Sequence, residues 1–412
     1  MAVADSRRVS LAGDIRGQIP KLGLREYWYP GVLARRVGRR PVKVRMLGED
    51  LAFFRGRTGR VVALTDVCPH RGASLAEGDC HWPGTIACPY HGWVFDEHGR
   101  NIAVLSEGPQ SRVCGKPGTE ARVYSTEEHR GVVFVWMGTG APAPIQEDVP
   151  EEFFDPGVLV LVGTNVWSIN WEVALENSMD SHVNYLHRNS FIMGRLPYLP
   201  RGARGECPVF TGNGFTGDIR QSSLSRPQPA QDVYPDYGFR WPKRRLRQLW
   251  TWIWLPMMRR AMTRPPFTLN PRWSGGHRLP SMYRTEFRAP AFMYTRACVP
   301  IDENTTRIWY YYAVRVASPL ARVWKRLDWS LFRKWAVIYN FSRQDERVMR
   351  AQRWDTPEKL SETDAEIIQW RRLVVAKHLG GRDAPFEYRR VADAASAANY
   401  TAPIFTGLAA RR

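Results

Sequence analysis

Two short segments constrain this chain more than anything else in it: Cys68-Pro69-His70-Arg71-Gly72 and Cys88-Pro89-Tyr90-His91-Gly92-Trp93. Each offers one soft thiolate and one imidazole, and 17 residues separate His70 from Cys88. A structural zinc finger pairs cysteine with cysteine and histidine with histidine at short spacing. Here each segment mixes the two. The interleaving suits a two-iron cluster in which Cys68 and Cys88 hold one iron while His70 and His91 hold the other. Pro directly after each Cys, and Gly near each His, fit tight ligand loops at hairpin tips. Such a cluster carries one electron at a time, so it feeds chemistry elsewhere.

The pattern C-x-H-x17-C-x2-H resembles the Rieske family. Respiratory-chain members of that family carry an extra cysteine in each loop, and the two form a disulfide. The matching positions here are Ala73 and Tyr90. The resemblance therefore implies the disulfide-free [2Fe–2S] cluster of oxygenases, of lower potential and suited to reducing an iron–oxygen centre.

At 412 residues the chain is long enough for two or three domains. Seventeen tryptophans imply large apolar surfaces, in a core or in a substrate pocket. The net charge of +19 is either a basic solvated surface or a field that steers an acidic partner such as a ferredoxin or reductase. No nucleic-acid module is present in the sequence. Cys80, Cys114, Cys207 and Cys298 have no framework spacing and read as free thiols in a reducing compartment. Arg7-Arg8 is followed by no apolar run, which argues against export. The apolar run Gln248–Met258 has 11 residues, where a spanning helix needs about 20. A cytoplasmic protein is expected.

Residues 1–24 read as a polar lead-in. Alternating stretches at Val42–Leu47, Leu51–Phe54, Arg60–Leu64, Trp93–Phe95 and Val132–Trp136 predict a small antiparallel β domain over 25–140, holding the cluster loops. Ala141-Pro142-Ala143-Pro144 opens a stiff linker, 141–154. Beyond it, Leu159–Val166 reads as a strand and Trp171–Leu186 as a helix. Tyr283–Val299 and Arg307–Val316 read as long strands, with helices near 318–352 and 362–379. The expectation is an α+β chain: the β domain, then a catalytic domain over 155–390 with a helix-grip arrangement, an antiparallel sheet packed with a long C-terminal helix. Residues 391–412 read as a tail.

His182 and His187 form H-x4-H. Five residues on an undistorted helix turn through about 140°, so alone this pair suits a core or capping role. They converge on one ion only where the helix bulges or ends. The resemblance to Rieske ring-hydroxylating oxygenases changes the weight. Those enzymes follow the cluster with such a pair, preceded by Glu-Asn and an Asp, as in Glu176-Asn177-Ser178-Met179-Asp180 here. Their third ligand is an Asp on the last long helix, in a pattern like Q-D-x-x-V-x-x-x-Q. Gln344-Asp345-Glu346-Arg347-Val348-Met349-Arg350-Ala351-Gln352 matches it. The resemblance thus implies mononuclear Fe(II) held by His182, His187 and Asp345, with open positions for dioxygen. Glu346 is the rival to Asp345, which otherwise reads as a helix charge paired with Arg343 or Arg347. In the family the Asp that links the iron site to a neighbouring subunit's cluster lies three residues before the first His. Asp180 lies two before His182.

The resemblance implies a terminal oxygenase component. It would take electrons from NAD(P)H through a separate flavin reductase or ferredoxin and use O2 to oxidise an apolar substrate, aromatic, steroid-like or natural-product. The outcome would be mono- or dioxygenation, dealkylation or cyclisation. The single-subunit-type members it looks closest to, among them carbazole dioxygenases and ketosteroid hydroxylases, are homotrimers. The alternative is a Rieske electron-transfer protein without oxygenase activity, which leaves the residues beyond 140 unexplained. The stretch Lys243–Arg264 has seven Lys/Arg around Leu249-Trp250-Thr251-Trp252-Ile253-Trp254-Leu255. It reads as an interfacial anchor or substrate entrance, or as a solvated cover over the pocket. Pro256 interrupts any long amphipathic helix there and favours the cover.

Overall fold

Alternation builds the N-terminal half. In Val42–Met46, Val44 and Met46 are buried while Lys43 and Arg45 are exposed, the period of a strand with one wet face. Leu47 and Gly48 then both take positive φ, 50° and 78°. A two-residue hairpin turn with that conformation matches the twist of the flanking strands, and the chain reverses into Glu49–Arg55. The same turn anchors outward: Leu47 N–H donates to Pro300 O at 2.7 Å and Gly48 N–H to Ile301 O at 3.1 Å. The small β half is thereby hooked onto a distant strand.

The computed structural model describes residues 15–179, 186, 187, 190, 209–211, 213–216, 276–288, 291–354, 356–360 and 364–386. Among these the first strands in chain order are β1 (Trp28–Leu33), β2 (Val42–Met46), β3 (Glu49–Arg55), β4 (Val61–Thr65) and β5 (Thr85–Ala87). They continue as β6 (Trp93–Asp96), β7 (Asn101–Val104), β8 (Val123–Tyr124), β9 (Thr126–His129) and β10 (Val132–Trp136). These form three antiparallel sheets, ordered β1–β10–β9, β2–β3–β4–β8 and β5–β6–β7.

Downstream lie β11 (Val158–Trp167), β12 (Val209–Thr211), β13 (Gly214–Thr216), β14 (Gly276–Arg278), β15 (Met282–Arg288), β16 (Ala291–Asp302) and β17 (Thr305–Arg315). They make one antiparallel sheet, ordered β11–β17–β16–β15–β14–β13–β12. Among the described residues the α-helices are α1 (Trp171–Glu176), α2 (Pro319–Asp328), α3 (Ser342–Arg350) and α4 (Ala365–Gly380). Trp370 of α4 packs against Phe215 of β13 and His277 of β14. The architecture is the expected α+β one, an antiparallel-β half followed by a sheet covered by helices.

Three expectations about elements need correction. Tyr283–Val299 is not one strand: β15 and β16 pair with each other, Arg288 opposite Ala291, and Ala289-Pro290 between them lie outside the described residues. A proline has no N–H for a ladder, which marks such a break. The helix over Trp171–Leu186 gives way to a turn at 177–179. There Ser178 Oγ donates back to Leu175 O at 2.6 Å, a local bond that competes with helix propagation. The 318–352 helix widens into π geometry at Trp329–Arg333 and Trp335–Phe341. Gly163 of β11 admits it, since a Cβ there would sit 2.3 Å from Ile338 Cδ1.

Residues 15–24 and 141–154 do more than lead in or link. Trp171 Nε1 donates to Pro20 O at 2.9 Å. Asp148, in the Pro-containing stretch, accepts from Trp28 N–H at 2.9 Å and from Arg382 at 2.8 Å. Beneath α1, Arg371 of α4 grips Glu176 at 2.6 Å and Glu358 at 2.5 Å. Arg16 reaches Glu358 at 3.4 Å and Glu172 at 3.7 Å.

That cluster makes stability depend on pH. Burial, then the neighbouring Glu176 carboxylate, raises Glu172 from 4.5 to about 8. The folded chain keeps a proton that the unfolded chain releases, so this group's contribution falls as pH rises from about 4.5 to about 8. Glu172→Gln should flatten that slope. Urea unfolding of both proteins at about pH 5 and about pH 8.5 checks it. Parallel losses in the two proteins would remove Glu172 as the source.

Candidate metal centres

The two cluster loops are built alike. Cys68 N–H donates to Ala73 O at 2.8 Å, and Gly72 N–H donates to Cys68 O at 2.8 Å. In the second loop Cys88 N–H donates to Trp93 O at 2.8 Å, and Gly92 N–H donates to Cys88 O at 3.1 Å. Gly72 and Gly92 have φ of 76° and 65°, a left-handed conformation that glycine adopts without penalty. Each loop thus closes on itself and turns its cysteine inward.

Cys68 and Cys88 are buried in a satellite core with Phe54, Leu75, Ile86 and Phe95. The imidazoles lie further out, His70 exposed and His91 half-buried. Their rings meet edge to face with centroids 4.5 Å apart, and His70 stacks on Trp93 at 5.0 Å. Burial pushes the Cys68 thiol up to about 11, opposed by the N–H groups of His70 and Arg71 and reinforced by Cys88 beside it. A bound cation reverses that preference, because a coordinated thiol loses its proton. Among the described residues no three His, Cys, Asp or Glu side chains converge on one ion position. A thiol pair beside an imidazole pair is instead what the two halves of a [2Fe–2S] cluster require, and the donor set fits it.

The second set of candidates is split. Asp180 and His182 lie outside the described residues, as do Cys207 and the basic stretch 243–264. His187 and Asp345 are described, and the fold brings them together: His187 Nε2 lies 3.0 Å from Asp345 Oδ1. Both are buried, Asp345 with 2% of its surface exposed. His187 stacks on Phe341 with centroids 3.6 Å apart. Its Nδ1 lies 3.3 Å from Gln344 Oε1, so the neighbour of Asp345 orients the imidazole. Glu346 is only half-buried. Two donors for a metal, one nitrogen and one carboxylate, therefore face each other across the start of α3.

Sequence reasoning missed two supports of this region. Arg296 of β16 is buried and donates to Ala174 O at 2.9 Å and Asn177 Oδ1 at 3.3 Å. Its guanidinium sits over Trp167 at 5.4 Å. His277 Nε2 lies 2.9 Å from Ser178 Oγ. Burial, with Arg296 adding to it, lowers His277 to about 3, so it is neutral at physiological pH. Together they fix Ala174, Asn177 and Ser178 at the end of α1. In sequence both are isolated polar residues in strands, and no motif marks them.

The loops yield a paired prediction. Ala at Gly72 meets no atom within 4 Å and costs only the left-handed backbone, whereas Ala at Gly92 also sets its Cβ 2.6 Å from Leu105 Cβ. Gly92→Ala should lose most cluster absorbance per chain. Gly72→Ala should keep it, with a stability loss of about 1–2 kcal/mol. Equal cluster loss in both variants would mean that backbone conformation alone, not the Leu105 contact, decides.

Comparison with known proteins agrees with these features. The family profile described as the Rieske [2Fe-2S] domain matches residues 27–113, and one described as homotrimeric ring hydroxylase matches residues 136–198. The terminal oxygenase component of carbazole 1,9a-dioxygenase from Sphingomonas sp is 36% identical over 44% of this chain, which spans about half, 48%, of that relative's length. The same component from Metapseudomonas resinovorans is 26% identical over 87% of this chain and 92% of its own. Among solved structures, the terminal oxygenase of carbazole 1,9a-dioxygenase from Novosphingobium sp. KA1 superposes with a TM-score of 0.69 at 25% identity, over 90% of this chain and 97% of that one. A fold match at 23% identity and TM-score 0.66, over 90% of this chain and 94% of that one, is the reduced complex between oxygenase and ferredoxin in carbazole 1,9a-dioxygenase. The chain carries a Rieske [2Fe–2S] domain and a ring-hydroxylase domain, and it is a homologue of the terminal oxygenase of carbazole 1,9a-dioxygenase.

Proposed function

We propose that this chain is the terminal oxygenase component of a multicomponent Rieske system. It takes electrons that originate in NAD(P)H from a ferredoxin or flavin reductase, and with dioxygen it oxidises an aromatic or other apolar substrate. It works as a cytoplasmic homotrimer. Among the described residues no helix is long and apolar enough to cross a membrane. The observation that carries the reading is the buried His187–Asp345 pair, 3.0 Å apart, in a chain that also carries a Rieske domain.

When bound, the two metal groups supply one-electron transfer and dioxygen activation. The chain supplies position. Cys68 and Cys88 hold the buried half of the cluster, and His70 and His91 hold the half nearest solvent, where an electron donor docks. His187, Asp345 and His182 hold the mononuclear iron, with Gln344 orienting His187. Asp180 carries the contact between this site and the cluster of a neighbouring subunit. Arg296 and His277 keep the segment that leads into the His pair in register.

Asp345→Ala should reduce bound iron from about three per chain to about two, with the cluster spectrum unchanged and product formation lost. Glu346→Ala should keep about three irons and much of the activity, because adjacent helix residues point about 100° apart. Loss of iron from Glu346→Ala alone would shift the ligand register by one residue. A wild-type chain with only two irons would make it an electron-transfer protein.

Electron delivery should slow with salt. A net charge of +19 attracts an acidic donor, and screening shortens from about 10 Å at 0.1 M to about 3 Å at 1 M salt. Stopped-flow reduction by the cognate donor measures this, and a flat rate across that range would exclude steering.

A further inference from the structure

Among the described residues between 25 and 140, Asp66 is the one Asp, Glu, Lys, Arg or His that is fully buried. It follows β4 directly and lies two residues before Cys68. Burying a carboxylate is costly unless it is hydrogen-bonded and paired, and Asp66 is both. Its Oδ1 accepts from Ala76 N–H at 2.6 Å, and its Oδ2 accepts from Ser74 Oγ at 2.6 Å. Lys43 of β2 completes the pair at 2.9 Å. The carboxylate thus ties together the two limbs of the first cluster loop, with Cys68 and His70 between them.

The tie also fixes where the charge lies. Leu75, between the two donors, is buried in the satellite core that holds Cys68 and Cys88. The carboxylate is therefore anchored beside the thiol half of the site, out of reach of solvent screening. Its ammonium partner is placed differently. The Lys43 side chain is 43% exposed, and it is shared with Asp50 at 3.3 Å. Arg71, the cation inside the loop, is exposed. Solvent and salt screen exposed charges far more than buried ones, so the buried carboxylate dominates the local field. A cluster gains one negative charge on reduction, and net charge is among the factors that set its potential.

We propose that the Asp66–Lys43 pair sets the reduction potential of the Rieske cluster: the buried carboxylate holds it down, and the half-exposed ammonium limits that depression. Neither residue is a ligand. Both act through charge and through the loop that carries Cys68 and His70. The proposal deepens the functional reading above and rests on its cluster alone, so its test is separate from the iron count of Asp345→Ala.

A redox titration of the full-length holoprotein, followed by the paramagnetic signal of the reduced cluster at one pH and low salt, tests this. Asp66→Asn removes the buried charge and should raise the midpoint potential. Lys43→Met leaves that charge uncompensated and should lower it. Lys43→Arg keeps the cation and should leave the potential at the wild-type value. Opposite shifts separate charge from loop distortion, which has no reason to change sign between the two variants. Should Asp66→Asn lose the cluster, Lys43→Met decides alone, because it leaves the bonds to Ser74 and Ala76 in place. A Lys43→Met potential equal to or above that of the wild type overturns the proposal. An Asp66→Asn cluster whose potential is unchanged or lower overturns it as well.

Discussion

One guanidinium holds the C-terminal half in register. Arg371 reaches both oxygens of Glu176, at 2.6 and 2.7 Å, and turns its remaining nitrogen to Glu358 at 2.5 Å. Glu176 ends α1, and residues 177–179 follow it as a turn. Arg371 lies on α4, so the fork fixes where one helix stops by tying it to the flank of another. A planar five-donor group does this where an ammonium cannot, because the two carboxylates accept in one plane. Removing one partner of such a buried set strands the others and costs about 3–5 kcal/mol. Glu172 tolerates this neighbourhood by retaining its proton.

The cluster half rests on a different principle. It has its own satellite core, and the cysteines are part of that core while the histidines are not. The asymmetry follows from chemistry: thiols are compatible with apolar surroundings, and imidazoles need polar or metal partners. The imidazole side is the one open to solvent, and the thiol side faces hydrophobic side chains that keep water away. The two halves are joined where the β2–β3 turn donates to Pro300 O and Ile301 O of β16. Leu47 is buried there. That turn needs two residues of positive φ in succession, so the joint depends on the same residue pair that closes the hairpin.

What the sequence makes legible is what chemistry forces into short segments. Cys68, His70, Cys88 and His91 lie in two short loops of like build, each closed by a glycine of positive φ. The strand Val42–Met46 is legible because one of its faces is wet, whereas Trp28–Leu33 and Val132–Trp136 are buried on both faces and read as continuous apolar runs. Asp345 is legible only through the resemblance of its surroundings to a family pattern. Arg296 and His277 are not legible at all. They reach residues 174–178 through the register of β14, β15 and β16, which pairing across the sheet determines. The π geometry at 329–341 is equally hidden, since no motif in that segment marks it. The split of β15 from β16 falls at Ala289-Pro290, inside the stretch that reads as one long strand.

The His187–Asp345 pair is the place where energetics and function part company. Taking a carboxylate and an imidazole out of water costs several kcal/mol for an ion, and their mutual attraction in the interior repays this only with good geometry and further hydrogen bonds. Replacing such a pair with apolar residues of similar volume is often neutral or stabilising, so packing gives no reason to keep it. Phe341 stacked on His187 shows that an apolar solution was at hand. The imidazole instead spends one nitrogen on Gln344 and presents the other to a carboxylate carried on a π-widened helix. Insertion of i→i+5 turns rotates the residues that follow, so the widening just before Ser342 sets which of Asp345 and Glu346 turns inward. A helix distorted just before its buried acid, and an imidazole oriented by the residue beside that acid, are costs that stability does not explain and that the proposed iron site accounts for.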